Sequence, residues 1–165
     1  MLKATTNVKK IAIFVDVQNI YYTTKQAYGR QFNYHELWRQ LSEQGEIVSA
    51  YAYAIDKADA QQQKFQKALQ HIGFTIKLKP YIQRSDGSAK GDWDVGITID
   101  VLTVAETAVD CIVLLSGDGD FDLLLTHVAQ RYKRETIVYG VPSLTANSLV
   151  NATNKFIAID ESLLR

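Results

Sequence analysis

The chain has 165 residues, 18 basic and 18 acidic side chains and a net charge of zero, so any nucleic-acid contact must rest on a local patch rather than a basic surface. A hydrophobic fraction of 47% and a charged fraction of 22% are those of a soluble globular domain. A single cysteine excludes an internal disulfide and cysteine-rich zinc sites, Met1–Lys10 lacks a signal-peptide core, and no run approaches the roughly 20 apolar residues of a membrane span, so a cytoplasmic setting without membrane contact is expected.

Residues 1–9 are expected to form a flexible arm ahead of a single domain over 10–165. Ile11–Val15 reads as a strand buried on both faces, and Asp16 closes it. Asn19 follows, then a helical segment from Ile20 to Ala27, for which Asp16 can serve as N-cap. His35–Leu41 is a short amphipathic helix with Leu37, Trp38 and Leu41 on one face, and Glu46–Ile55 contains a strand. Ala60–Ile72 is the clearest helix. Phe65, Ala68, Leu69 and Ile72 form its apolar face and Gly73 is a fitting stop. Phe74–Leu78 alternates as a half-buried strand that Pro80 ends. Gln83–Lys90 is polar, carries turn chemistry at 85–88 and is expected to be mobile.

The next segment fits two patterns. Trp93, Val95, Ile97, Ile99 and Val101 alternate as in a strand, whereas Trp93, Ile97, Val101 and Ala105 recur at helical spacing. Its length through Glu106 favours a helix, with Asp92 as N-cap and Asp94 in the first turn. Cys111–Leu115 is a second run buried on both faces. It breaks at Ser116-Gly117 into acids at alternate positions, Asp118, Asp120 and Asp122. A helix follows from Leu123 to Tyr132, then a strand over Glu135–Tyr139, a turn at 140–143 and a short helix over Leu144–Val150. Lys155–Ile159 is a last strand or an extended tail. Alternating strands and helices predict a three-layer α/β domain with a mostly parallel sheet.

Acids gathered at a buried strand end repel one another. Two carboxylates about 4 Å apart cost roughly 4 kcal/mol at an effective dielectric near 20. Such a cluster persists where a cation, a shared proton or solvent relieves it, and ligands of open α/β sheets bind at the carboxyl ends of strands. The same residues also fit plain capping roles, Asp118 or Asp120 at a helix start and Asp122 as a first-turn acid. Gly117 and Gly119 are expected to allow backbone shapes closed to other residues, and the amides after them to be open to a phosphate.

Three stretches, Phe14-Val15-Asp16-Val17-Gln18-Asn19, Lys90-Gly91-Asp92-Trp93-Asp94 and Ser116-Gly117-Asp118-Gly119-Asp120-Phe121, together resemble the NYN domain in its bacterial LabA-like branch, part of the PIN-like nuclease superfamily. The resemblance spans about Lys10 to Ile159. It departs from animal relatives with adjacent acids in the middle motif, because Trp93 separates Asp92 from Asp94. Asp94 is taken as the site acid and Asp92 as the cap.

The resemblance implies a Rossmann-like PIN-like fold with strand order 3-2-1-4-5, which brings the first and fourth strands side by side where the winding reverses. It implies a divalent-metal-dependent ribonuclease, an endonuclease acting on single-stranded RNA. Its catalytic and metal-binding set is Asp16, Asp94, Asp118 and Asp120. Asp16 and Asp118 would bind metal directly, and the other two would complete the shell. Asn19, Ser116 and Lys90 are the substrate-binding candidates: Asn19 and Ser116 would orient ligands or a phosphate by hydrogen bonds, and Lys90 would pair with the scissile phosphate or is an exposed loop lysine. An all-oxygen donor set suits Mg2+ or Mn2+ and argues against zinc. Tyr21 and Tyr22 either stack on bases or simply pack, and Lys25, Arg30, Lys79, Arg84 and Lys90 are too scattered to define a stripe. His35, His71 and His127 fall in separate helical segments and read as surface residues.

A non-catalytic RNA-binding or regulatory module that keeps the acidic pocket remains open, as does a homodimer. A haloacid-dehalogenase-type phosphatase is disfavoured, since Gln18 stands two residues after Asp16 where that chemistry needs an acid. A receiver domain lacks its acid pair at the end of the first strand, and no Gly-x-Gly-x-x-Gly follows any strand.

Overall fold

The computed structural model describes residues 8–80, 82–83, 89–90 and 92–165, the side chains of 80, 82–83 and 89–90 lying outside that description. The strands are β1 (Lys10–Asp16), β2 (Glu46–Asp56), β3 (Thr75–Pro80), β4 (Ile82–Gln83), β5 (Ala89–Lys90), β6 (Cys111–Leu115), β7 (Glu135–Gly140) and β8 (Lys155–Ala158). The helices are α1 (Val17–Tyr28), α2 (Tyr34–Gln44), α3 (Ala60–Ile72), α4 (Asp94–Ala105), α5 (Asp122–His127) and α6 (Asn147–Ala152). Six strands form one parallel sheet in the order β3-β2-β1-β6-β7-β8. This is the expected 3-2-1-4-5 arrangement with a sixth strand added at the edge. β4 and β5 form a separate two-stranded antiparallel ladder.

The period-two alternation of β1 builds two cores. Ile11, Ile13 and Val15 face α1, α2 and α3, where Ile20, Leu37, Leu41 and Leu69 are buried, and the C-terminal Leu163 and Leu164 join them. Ala12 and Phe14 face α4, α5 and α6, packing with Ile97, Val101, Leu125 and Leu149. β6 divides in the same way and is buried at every position. Helices thus cover opposite faces on the two sides of the β1–β6 pair, which is therefore the point where the winding reverses. In the register, Val15 lies opposite Leu115, so Asp16 and Ser116 leave the sheet side by side.

Several elements depart from expectation. α4 is a helix as read, yet Val95 and Ile99 stand 70% and 57% exposed, which explains why its pattern also mimicked a strand. On α3 only Leu69 is fully buried and Phe65 keeps 37% of its surface exposed, because this helix lies toward the β2–β3 edge of the sheet. Gly73 ends α3 at φ 138°, where a Cβ would also strike the Trp38 ring at 2.6 Å. The helix expected over 123–132 is α5 followed by a π-helical turn, Val128–Tyr132. The one expected over 144–150 is two pieces, a 3-10 turn at Pro142–Leu144 and then α6, separated by Thr145 in extended conformation. The mobility expected of 83–90 concerns mainly 84–88, and the arm expected over 1–9 mainly 1–7, both outside the described residues. Among the described residues no helix is long and apolar enough to cross a membrane.

Candidate metal centre

Asp16 ends β1 and caps α1 at once. Its Oδ1 accepts the Asn19 amide at 3.4 Å and its Oδ2 accepts the Ser116 hydroxyl at 3.2 Å. Burial, against the pull of the two hydrogen bonds and with the charges of Asp118 and Asp92, holds its carboxyl up at about 6. Ser116 is fully buried and works in two directions. Its hydroxyl proton goes to Asp16 while its oxygen accepts the Asp118 amide at 3.1 Å. One side chain therefore links the acid that ends β1 to the acid that follows β6.

Asn19 makes a second link across the same gap. Its Oδ1 accepts the Gly117 amide at 2.9 Å, which latches the first turn of α1 to the turn after β6. Its Nδ2 amide has no acceptor among the described residues. Gly117 and Gly119 are required by close approach rather than by unusual dihedrals, since neither has positive φ. A Cβ on Gly117 would stand 2.6 Å from the Leu144 carbonyl oxygen, and one on Gly119 would stand 2.9 Å from the Ala146 Cβ. The amides after these glycines are also not open to a phosphate. Asp118 donates to Ser116, and Asp120 donates to Asp118 Oδ1 at 2.9 Å.

Asp94 enters from the first turn of α4. Burial, the Asp118 charge and a hydrogen bond shared with Asp118, together with the charges of Asp92 and Asp16, hold its carboxyl up at about 7. Asp94, Asp118 and Asp120 each present a carboxylate oxygen, and the three oxygens all lie within 4.8 Å of one another. Asp16 stands beside this group rather than within it, joined through Ser116. Asp122 is occupied with the Leu123 amide at 2.6 Å, and no histidine belongs to the group among the described residues.

Asp92 is not the N-cap of α4. That position is Trp93, which makes no side-chain cap bond, and Asp92 is exposed. Trp93 instead anchors the start of α4 to the sheet. Its Nε1 donates to the Ala54 carbonyl at 2.9 Å, its ring packs on Tyr53 at 5.3 Å, and the Lys79 ammonium lies 4.6 Å over it. Gly96 leaves room for that ring, which a Cβ would strike at 2.5 Å. The anchoring role of Trp93 was not visible in the sequence, and the orienting role expected of Ser116 did not disclose that its hydroxyl works in two directions. The one available signal was an indole placed between two acids. Lys90 pairs through its backbone with Ile82, and its side chain lies outside the described residues.

The donor chemistry fits a hard divalent cation. It is all carboxylate, crowded enough to hold a proton near neutral pH, and a cation would relieve that crowding.

Comparison with known proteins identifies the family. The NYN domain family matches residues 10–160. Low amplitude and bright protein LabA of Synechococcus elongatus is 31% identical over 160 residues, covering 92% of this chain and 84% of that one. The crystal structure of a Vibrio parahaemolyticus protein of unknown function is 49% identical, with a TM-score of 0.92, and the match covers 99% of this chain and 100% of that one.

Proposed function

The chain belongs to the NYN domain family, as a LabA-like member, and from that premise we propose that it is a divalent-metal-dependent ribonuclease cutting single-stranded RNA internally. Membership in a PIN-like nuclease superfamily suggests a nuclease acting on RNA. The observation that carries the finer reading is the meeting of Asp94, Asp118 and Asp120 within 4.8 Å, beside Asp16, at the reversal of the sheet.

Asp16, Asp94, Asp118 and Asp120 are the residues that would hold Mg2+ or Mn2+. When bound, such an ion neutralises charge on phosphoryl oxygens and lowers the pKa of a water that can attack. The chain's own groups then position the reactants. Ser116 and the Asn19 amide orient Asp16, and Asn19 Nδ2, which meets no acceptor among the described residues, would donate to a phosphate oxygen. Lys90 is proposed to pair with the phosphate. A cytoplasmic setting suits the single buried thiol of Cys111, and a second copy would extend the surface open to RNA.

Incubation of purified protein with labelled single-stranded RNA and manganese or magnesium tests this. Internal cleavage by the wild type that Asp118→Asn abolishes is expected. Binding of RNA without cleavage under either ion would assign the chain to the non-catalytic alternative.

A further inference from the structure

The solvent side of α1 carries an unusual set of residues. Positions 18, 21, 22, 25 and 26 share one helix face. They are Gln18, Tyr21, Tyr22, Lys25 and Gln26, all exposed, while Val17, Ile20 and Thr24 turn inward. Tyr21 and Tyr22 are 47% and 49% exposed. Tyr28 is also exposed, but its hydroxyl donates to the Ile159 carbonyl at 2.7 Å. The hydroxyls of Tyr21 and Tyr22 meet no partner among the described residues. Neither ring belongs to a hydrophobic cluster, so core packing does not explain the half of each that stays exposed.

Charge and position say what does. From Val17 to His35 there is no acid, and the basic residues are Lys25 and Arg30. Arg30 is engaged by Glu161 and by the Arg165 carbonyl. The Lys25 ammonium instead lies 5.5 Å from the Tyr21 ring centroid on the open face. The two rings meet edge to face at 5.3 Å with planes 75° apart, so they offer separate faces to separate bases. The helix is capped by Asp16 and latched by Asn19, so its first turn adjoins the acid pocket. Tyr21 and Tyr22 stand five and six residues beyond the cap, about 8–9 Å along the axis.

We propose that Tyr21 and Tyr22 form a base-stacking subsite, with Lys25 on the adjoining phosphate, for a single strand that runs out of the acid pocket along α1. The proposal rests on the ribonuclease reading and sharpens it. Stacking on aromatic faces requires unpaired, splayed bases, so the subsite selects single strands over duplex without reading sequence.

The test is fluorescence anisotropy of labelled oligouridine with full-length protein in EDTA, where no cleavage intervenes. The double variant Tyr21→Ala, Tyr22→Ala should weaken binding by at least about tenfold, given the usual worth of base–aromatic stacking. Tyr21→Phe, Tyr22→Phe should retain it. Lys25→Gln should lower the slope of log affinity against log salt by about one. Ultraviolet cross-linking with iodouridine should map to the 21–22 peptide, and an RNA duplex should bind more weakly than the strand. Both rings lie on the surface outside the hydrophobic clusters, so the alanine variant should melt within a few degrees of the wild type.

Wild-type affinity in the alanine variant overturns the subsite. So does a loss in the phenylalanine variant equal to that in the alanine one, and so does a change of sedimenting mass in place of RNA affinity, which would make this face a contact between copies. If the wild type binds and cleaves RNA but ignores these substitutions, the subsite fails alone. If it neither binds nor cleaves, both readings fail.

Discussion

Replacing Asp94 with Asn should stabilise the cation-free protein at neutral pH. Burial, the Asp118 charge and the shared Asp94–Asp118 hydrogen bond raise the Asp94 carboxyl from an ordinary 3.8 to about 7. The folded state therefore binds this proton more tightly than the unfolded chain does. Well below the ordinary value of 3.8 both states are protonated and the crowding costs nothing. As the pH rises the unfolded chain ionises first and stability is lost, until the folded form ionises near 7. A rise of about three units corresponds to about 4 kcal/mol at most. Asp94 is partly open to solvent, and screening reduces this to about 1–2 kcal/mol. Asparagine has the shape of the neutral acid and escapes the loss. The variant should therefore melt about 2–8 °C higher than wild type at pH 7.5 in EDTA, with the difference closing toward pH 4. Adding manganese should reverse the order, since ligand binding stabilises only the protein that holds the ion. Differential scanning fluorimetry across this pH range reads both effects. An Asn variant that is less stable in EDTA, or a difference independent of pH, would refute the reasoning.

Two further substitutions probe how the acids are spaced. Ser116→Ala removes the hydroxyl between Asp16 and Asp118, and isothermal titration should show manganese affinity falling by about 10–100-fold, as for loss of other groups that orient ligands. Unchanged affinity would make the hydroxyl a packing feature only. Gly117→Ala places a Cβ 2.6 Å from the Leu144 carbonyl, and urea unfolding should report a loss of about 1–3 kcal/mol. An unchanged midpoint would show that the loop after β7 yields freely.

The two strands that carry the pocket could be read from short apolar runs because both are buried on both faces, and their terminal acids stood out for the same reason. β8 was harder to read, since its residues are only half-buried at the sheet edge. α4 was ambiguous because Val95 and Ile99 are apolar on its exposed side, which superimposes a two-residue period on the helical one. The Asp92 cap failed for a related reason. The indole of Trp93 bonds the Ala54 carbonyl and fixes where α4 begins, a contact 39 residues away in sequence. The links from Ser116 to Asp16 and from Asn19 to Gly117 depend on the lateral register of β1 against β6, which no local pattern encodes. The acids were thus legible one by one, but not which three converge or that Asp16 joins them through a hydroxyl.

Anomalous diffraction from crystals soaked in manganese tests the metal centre most directly. A peak should lie among the carboxylates of Asp94, Asp118 and Asp120, about 2.0–2.2 Å from its oxygen ligands, with Asp16 in the same shell or one water away. No peak there at saturating manganese, or a peak only at other acids, would contradict a cation-binding pocket at the junction of β1 and β6.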